Sequence, residues 1–342
     1  MSGGTSRAAA RSGVLLGGGV STRAPVTVLL AALIFALGAY APTHFLSEFA
    51  LRIGAGGLLL GILALSVAFL MSQAGLVALG AASVYGGVGY LFAICLSEWD
   101  LSPTAALLFA FVAVVVYSAA LGALIVRTNP LAFMMLTLAA GEMISHSVML
   151  EGLRDYTSGA DGLVVNFKGA VFGMTSADFA NATRFWPIAW SAAWGLGLAA
   201  FTVRRSRFGA ILRAIRENEE RMRFSGFGTY LPRLVAFVFV NAIAGVCGLL
   251  HVLNSGFVSP ESLGLSVSTN ALVAALIGGV AGSTGPIAGG VLFAVAQDQF
   301  GAHGFTQLLT GVAIVVFIVL LPRGVVGALL DAVRRSDRRG TG

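Results

Sequence analysis

Glu142 and His146 stand one helical turn apart inside an otherwise apolar stretch. On a helix that spacing places an acid and a base on one face. Ionisable side chains in such surroundings mark either a working site or a helix end close enough to water to stay hydrated. No nucleophile–base constellation accompanies the pair, which disfavours an intramembrane enzyme. Thr269 and Asn270 open a later apolar stretch, where they either contact a solute or cap a helix. Asp298 falls at the outer end of its own segment and is expected to be solvated. Between these lies Gly278–Pro286, reading GGVAGSTGP, with Gly278, Gly279, Gly282, Gly285 and Pro286 interrupting two short apolar pieces. Broken helices of this kind are the best sequence pointer to a transport site, although glycines also serve close helix crossings.

The second chemically distinctive stretch is Arg204–Arg233, RRSRFGAILRAIRENEERMRFSGFGTYLPR. Phe208, Ile211, Leu212 and Ile215 follow i, i+3, i+4, i+7 spacing and predict one apolar stripe on a helix. Arg213, Arg216, Glu217 and Glu220 repeat the spacing on another face. Glu217–Arg221 and Glu219–Arg223 are i, i+4 pairs in the favourable orientation. The reading is a short amphipathic helix at a membrane surface. It either presents a solvated charged face or docks a soluble partner. Lys168 is the only lysine, and Phe167 precedes it, so the chain lacks the Gly-Lys-Ser/Thr of a phosphate-binding loop.

The elements that must hold these residues are read from composition. Of 342 residues 57% are apolar and only 11% charged, against about a quarter charged in soluble domains. Apolar stretches of about 20 residues recur, long enough to cross a hydrocarbon core as helices. They are apolar on all faces, not alternating, which excludes a β-barrel. The fold class is therefore an all-α polytopic transmembrane bundle. Ten segments are expected: 26–46, 51–71, 74–97, 103–126, 130–150, 185–203, 231–253, a short pair at 269–282 and 285–300, and 306–322. The first, preceded by Arg7, Arg11 and Arg23, resembles a signal anchor and is expected to remain as a span. A single permease domain of residues 26–322 would then lie between tails 1–25 and 323–342.

Placing both tails in the cytoplasm puts 17 of the 21 Lys and Arg residues on that side, as the positive-inside rule requires. The stretch 204–233 is then a cytoplasmic loop and 151–184 an external one. The basic net charge of +6 reflects this bias and gives no reason to invoke nucleic acid. Cys95 and Cys247 lie in apolar segments as packing residues, and the four histidines show no metal-ligand spacing.

The loop sequence RFGAILRAIRENEERMRFSGF resembles the cytoplasmic coupling segment of the branched-chain amino-acid ABC transporter permeases, LivM-type. Other stretches follow in the family's order. VRTNPLAFMMLTLAAGEM carries Arg127, Phe133, Thr137 and Leu138; TSGADGL spans Thr157 to Leu163. AFVFVNAIAGVCGLL, FVSPES, LIGGVAGSTGPIAGG and LPRGVVG complete the match, over roughly residues 55 to 330. Two departures stand out. Leu76 and Ala78 in GLVALG replace the family's Gln and Ser, and Ser158 stands where a glycine is usual.

The resemblance implies a pore-forming subunit of a bacterial inner-membrane importer. It implies a second homologous permease, two cytoplasmic ATPases that hold the ATP and Mg, and an external solute-binding protein. This chain itself would hold no cofactor and no metal. By position in the motifs, Arg213, Ala214, Ile215, Arg216, Glu217 and Asn218 would couple to the ATPases. Thr137, Glu142, Asn270, Gly278, Gly279, Gly282, Gly285 and Pro286 would border the substrate pathway. Thr157, Ser158, Gly159, Asp161 and Gly162 would face the binding protein. Urea or short amides are alternative solutes within the same class. An ion-coupled secondary transporter is the rival class, with Glu142 as its one deep acid.

Overall fold

The computed structural model describes residues 23–167, 169–171, 173–301 and 311. The segment expected at 306–322 and most of both tails lie outside the described residues. Thirteen helices are described: α1 (Arg23–Phe45), α2 (Glu48–Ala74), α3 (Ala81–Ser97), α4 (Pro103–Ile125), α5 (Pro130–Ser147), α6 (Arg154–Thr157), α7 (Ser176–Ala180), α8 (Ala182–Arg205), α9 (Arg207–Glu217), α10 (Glu219–Phe224), α11 (Tyr230–Ser255), α12 (Leu265–Gly278) and α13 (Thr284–Gly301). Two two-residue strands, β1 (Leu163–Val164) and β2 (Phe257–Val258), pair antiparallel.

The helix limits follow from local chemistry. Ser47 caps α2 by accepting the Ala50 amide at 3.3 Å, and Pro103 and Pro130 open α4 and α5. Gly75 ends α2 in the left-handed conformation at φ 68°. The expected third span, 74–97, is therefore shorter than read, because residues 75–80 form a buried turn before α3.

α2 is the central post and is buried along most of its length. It packs most heavily on α13 and also on α8, α11 and α12. Its glycines permit this: a Cβ on Gly61 would sit 2.6 Å from the Ile287 carbonyl oxygen, and one on Gly57 2.8 Å from the Val291 Cα. α4 is the opposite case. Ala106, Ala110, Val114, Ser118 and Gly122 recur every fourth residue as one buried stripe. Leu108, Val112, Val116 and Leu124 face outward, an apolar surface suited to lipid tails.

Among the described residues, α2, α4 and α11 are long and apolar enough each to cross a membrane. α5 and the Glu151–Thr157 turn pass the same test together but are bent by 66° at their break. α3 and α12 are shorter apolar helices.

Candidate functional site

The broken pair is two helices joined by Gly279–Ser283. α12 and α13 meet backbone to backbone, since a Cβ on Gly278 would collide with the Gly285 carbonyl oxygen and one on Gly289 with that of Ala274. Gly279 adopts φ 94°, which an L side chain rarely takes. Of the glycines expected in the pathway, Gly278, Gly279 and Gly285 thus lie at the close contact of the two half-helices. Asn270 lies in the second turn of α12, whose N-cap is Gly264, so it does not cap the helix. Thr269 donates to the Leu265 carbonyl within its own helix.

The pair forms one wall of a cavity of about 440 Å³. Asn270 comes from α12, Gln297 and Asp298 from α13, His251 from α11 and Tyr85 from α3. The opposite wall is aliphatic: Ile53, Leu59, Leu60 and Leu63 of α2. Tyr85 and His251 lie ring against ring, with centroids 5.2 Å apart. A few polar groups set against apolar walls is the usual form of a small-molecule site. Asn270, singled out in the sequence, lines this cavity. Asp298, expected to be solvated, joins it. Tyr85 and His251 escaped notice because each is a lone polar residue in a long apolar run.

The arginine-rich loop departs from a single helix. Asn218, at φ −158°, ends α9, and its side chain caps α10 by accepting the Arg221 amide at 2.9 Å. The Glu217–Arg221 spacing therefore straddles a break, whereas Glu219–Arg223 forms its ion pair at 2.9 Å. Leu212 and Ile215 are buried as the stripe predicts, and Arg216, Glu217 and Asn218 are exposed. The arginines reach inward. Arg213 donates to Gln73 Oε1 and to the Arg204 carbonyl, both at 2.8 Å. Arg216 donates to the Ser72 carbonyl in the last turn of α2, the negative end of that helix. Arg204 in turn donates to the Ala281 carbonyl between α12 and α13. Hydrogen bonds thus run from α9 to the foot of α2 and into the break of the pair. Glu219 bonds Arg223, Thr229 and the buried Arg233, at 2.9, 3.0 and 2.8 Å. Phe224 is 90% and Phe227 53% exposed at the loop's tip, a feature periodicity did not single out.

The Thr157–Gly162 element is equally well organised. The buried Thr157 hydroxyl lies 2.7 Å from the Val148 carbonyl and accepts the Gly159 amide at 3.3 Å. Ser158 sits at φ 55°, a left-handed position that accounts for the glycine usual there. Asp161 closes a short 3-10 turn, and Gly162 adopts φ 72° with no room for a Cβ beside the Val258 carbonyl oxygen. The β1–β2 pairing then clips this element to the chain between α11 and α12.

Thr137 lies outside the cavity. It is buried, accepts the Leu79 amide at 3.3 Å and so holds the 75–80 turn. Leu76 and Ala78 are buried in that turn, in the cluster that contains Leu212, so their departure from the family pattern leaves the cavity lining unchanged. Glu142 and His146 approach to 3.7 Å on the outward face of α5, their side chains 39% and 77% exposed, away from the cavity. Among the described residues, no group of three or more His, Cys, Asp or Glu is placed to hold a metal ion.

The family profile described as "Branched-chain amino acid transport system / permease component" matches residues 49–322. The permease protein LivM of the high-affinity branched-chain amino acid transport system of Salmonella typhimurium is 25% identical over 77% of this chain and 66% of its own length. Its LivH counterpart is 26% identical over 54% of this chain and 62% of its own. BraD of Pseudomonas aeruginosa is 30% identical over 38% of this chain and 43% of its own. The chain therefore spans just under two thirds of the length of the curated relatives it matches over most of its sequence. No solved structure matches it. With the family profile covering most of the sequence, and LivM matching over more of it than LivH does, the chain belongs to the permease-component family of branched-chain amino acid transport systems and is of the LivM type.

Proposed function

We propose that this chain is a pore-forming permease subunit of an ATP-driven importer for branched-chain amino acids. The observation that carries the reading is the cavity, which pairs an aliphatic wall with an acid and two amides. An amino acid fits that division of labour. Its ammonium pairs with Asp298, its carboxylate accepts from Asn270 or Gln297, and its branched side chain lies against Ile53, Leu59, Leu60 and Leu63. Ten membrane segments, with both termini in the cytoplasm, account for the distribution of arginine. A second homologous permease completes the pore, and an external binding protein delivers solute to the Thr157–Gly162 element.

ATP and Mg reside in two ATPase chains that dock on the loop carrying Arg213–Asn218. Phe224 at its tip is an exposed anchor for them. Closure of the ATPases then moves α9, and the Arg213, Arg216 and Arg204 hydrogen bonds carry that movement to α2 and to the α12–α13 break. The two cavity amides also suit urea or a short amide, which makes those the competing solutes.

Uptake into vesicles holding the full complex separates these readings. Labelled leucine should accumulate only with ATP. Asp298→Asn or Asn270→Ala should each lower its uptake about tenfold or more, the value of a hydrogen bond to a charged group. Unchanged leucine uptake in both variants would remove the cavity from the pathway. Accumulation driven by an ion gradient without ATPases would replace the importer with a secondary transporter.

A further inference from the structure

A second cavity, of about 980 Å³, lies between α8 and α13 and shares no lining residue with the first. Its walls are apolar: Trp194, Leu198 and Phe201 from α8, and Ile287 and Val291 from α13. One end is different. Arg204, Arg205 and Arg213 converge there with the Ala281–Thr284 turn that leads into α13.

The charge at that end is uncompensated. Among the described residues, none of Arg204, Arg205, Arg213 or Arg216 is in an ion pair. Their partners are neutral: the Ala281 carbonyl for Arg204, Gln73 for Arg213, the Ser72 carbonyl for Arg216, and the Phe201 ring, 4.5 Å away, for Arg205. The nearby acid Glu219 is committed to Arg223 and Arg233. Burial, and then the closeness of Arg213 and Arg216, push the Arg204 guanidinium below its ordinary pKa. A bound anion relieves that repulsion.

Ser283 supplies an independent sign of a ligand. It lines the cavity, is 8% exposed, and its hydroxyl has no hydrogen-bond partner among the described residues. α13, an 18-residue helix, begins at the next residue, and the first-turn amides of a helix have no partner within it. A buried hydroxyl, a helix N-terminus and guanidinium groups share one ligand chemistry, a phosphate. The long aromatic and aliphatic walls decide its source. A free phosphate would leave them empty, whereas an acyl chain fills them.

We propose that the α8–α13 groove binds an anionic phospholipid, with its phosphate held by Arg204, Arg205 and Ser283 and an acyl chain along Trp194, Leu198 and Phe201. The lipid would come from the cytoplasmic leaflet, given the orientation proposed above. It would brace α13 directly beside the break that Arg204 grips.

Trp190 and Trp194 line the groove, so its filling is readable by fluorescence. The full chain in lipid nanodiscs would be titrated with phosphatidylglycerol carrying brominated acyl chains, with brominated phosphatidylcholine as the neutral control. Phosphatidylglycerol should quench selectively and saturate at low mole fraction. Arg205→Gln removes a side chain with no hydrogen-bond partner among the described residues and should raise the half-saturating fraction about fivefold, the worth of one basic residue near an anionic surface. Arg204→Gln with Arg205→Gln should raise it further. Equal quenching by the two lipids, or an unchanged titration in Arg205→Gln, would overturn the proposal. Displacement by millimolar inorganic phosphate would reassign the site to a soluble anion. Crosslinking of Leu198→Cys to residues 306–322 would reassign the groove to the chain itself. None of these readings depends on leucine uptake, so a failed solute assignment leaves the lipid result standing.

Discussion

Glu219 offers the sharpest test of how the arginine-rich loop is held. Its carboxylate bonds Arg233 at 2.8 Å, and the two side chains are 28% and 7% exposed. Among the described residues the buried Arg233 Nε has no partner, and Glu219 is the principal compensation for this guanidinium. Glu219→Gln keeps the shape and deletes the charge. Stranding a buried partner costs about 3–5 kcal/mol when neither group is hydrated. Partial exposure of the carboxylate lowers that to roughly 2–3 kcal/mol. The loss is local, so it should appear in hydrogen exchange of the α10 amides. About 2 kcal/mol corresponds to roughly thirtyfold faster exchange. Arg233→Met with Glu219→Gln removes both charges and should recover much of the protection, because no buried charge is then left without its partner. Unchanged exchange in Glu219→Gln would refute the reasoning. So would a double variant in which the two losses simply add, since independent sites add and coupled ones do not.

Three further outcomes follow from the geometry. Gly278→Ala places a methyl group on the Gly285 carbonyl, backbone against backbone, and should cost at least the roughly 1–3 kcal/mol of overpacking, read as a lower melting temperature. Ser158→Gly relieves a left-handed serine at φ 55° and should raise stability by up to about 1 kcal/mol, read in the same melting assay; a loss would show that the hydroxyl matters more than the backbone. Asp178 has its pKa lowered by the Thr175 amide, then by the Thr175 hydroxyl and the Arg184 charge. Its stabilisation is therefore complete above the ordinary carboxylate pKa and is lost as pH falls below it through the lowered value. Protection of the α7 amides should accordingly fall as pH drops below about 4, and the fall should vanish in Asp178→Asn.

Much of this architecture was legible in the sequence because lipid-compatible helices advertise themselves by length and apolarity. The glycine-interrupted pair was also plain, since few other roles call for GGVAGSTGP between apolar pieces. What stayed hidden depends on three-dimensional convergence. Tyr85, His251, Asn270 and Asp298 come from four helices, and no spacing rule links them. The Asn218 break was missed because charge periodicity continues through it, while the asparagine side chain instead starts a second helix. Glu142 and His146 drew attention for the right chemical reason, yet α5 turns them outward. Thr137 was noticed as a family position and serves a turn distant in sequence, through one hydrogen bond to the Leu79 amide.

The smallest element of the fold has a consequence for how the protein is made. Leu163 pairs with Val258, and Val164 with Phe257. The clip cannot close while α11 is still being synthesised, so the Thr157–Gly162 element waits through five later helices for its partner strand. Pairing between segments so far apart in sequence is slow. The clip is thus a natural checkpoint of biogenesis: a nascent chain halted before Phe257 has α1 to α11 but leaves the Thr157–Gly162 element unclipped.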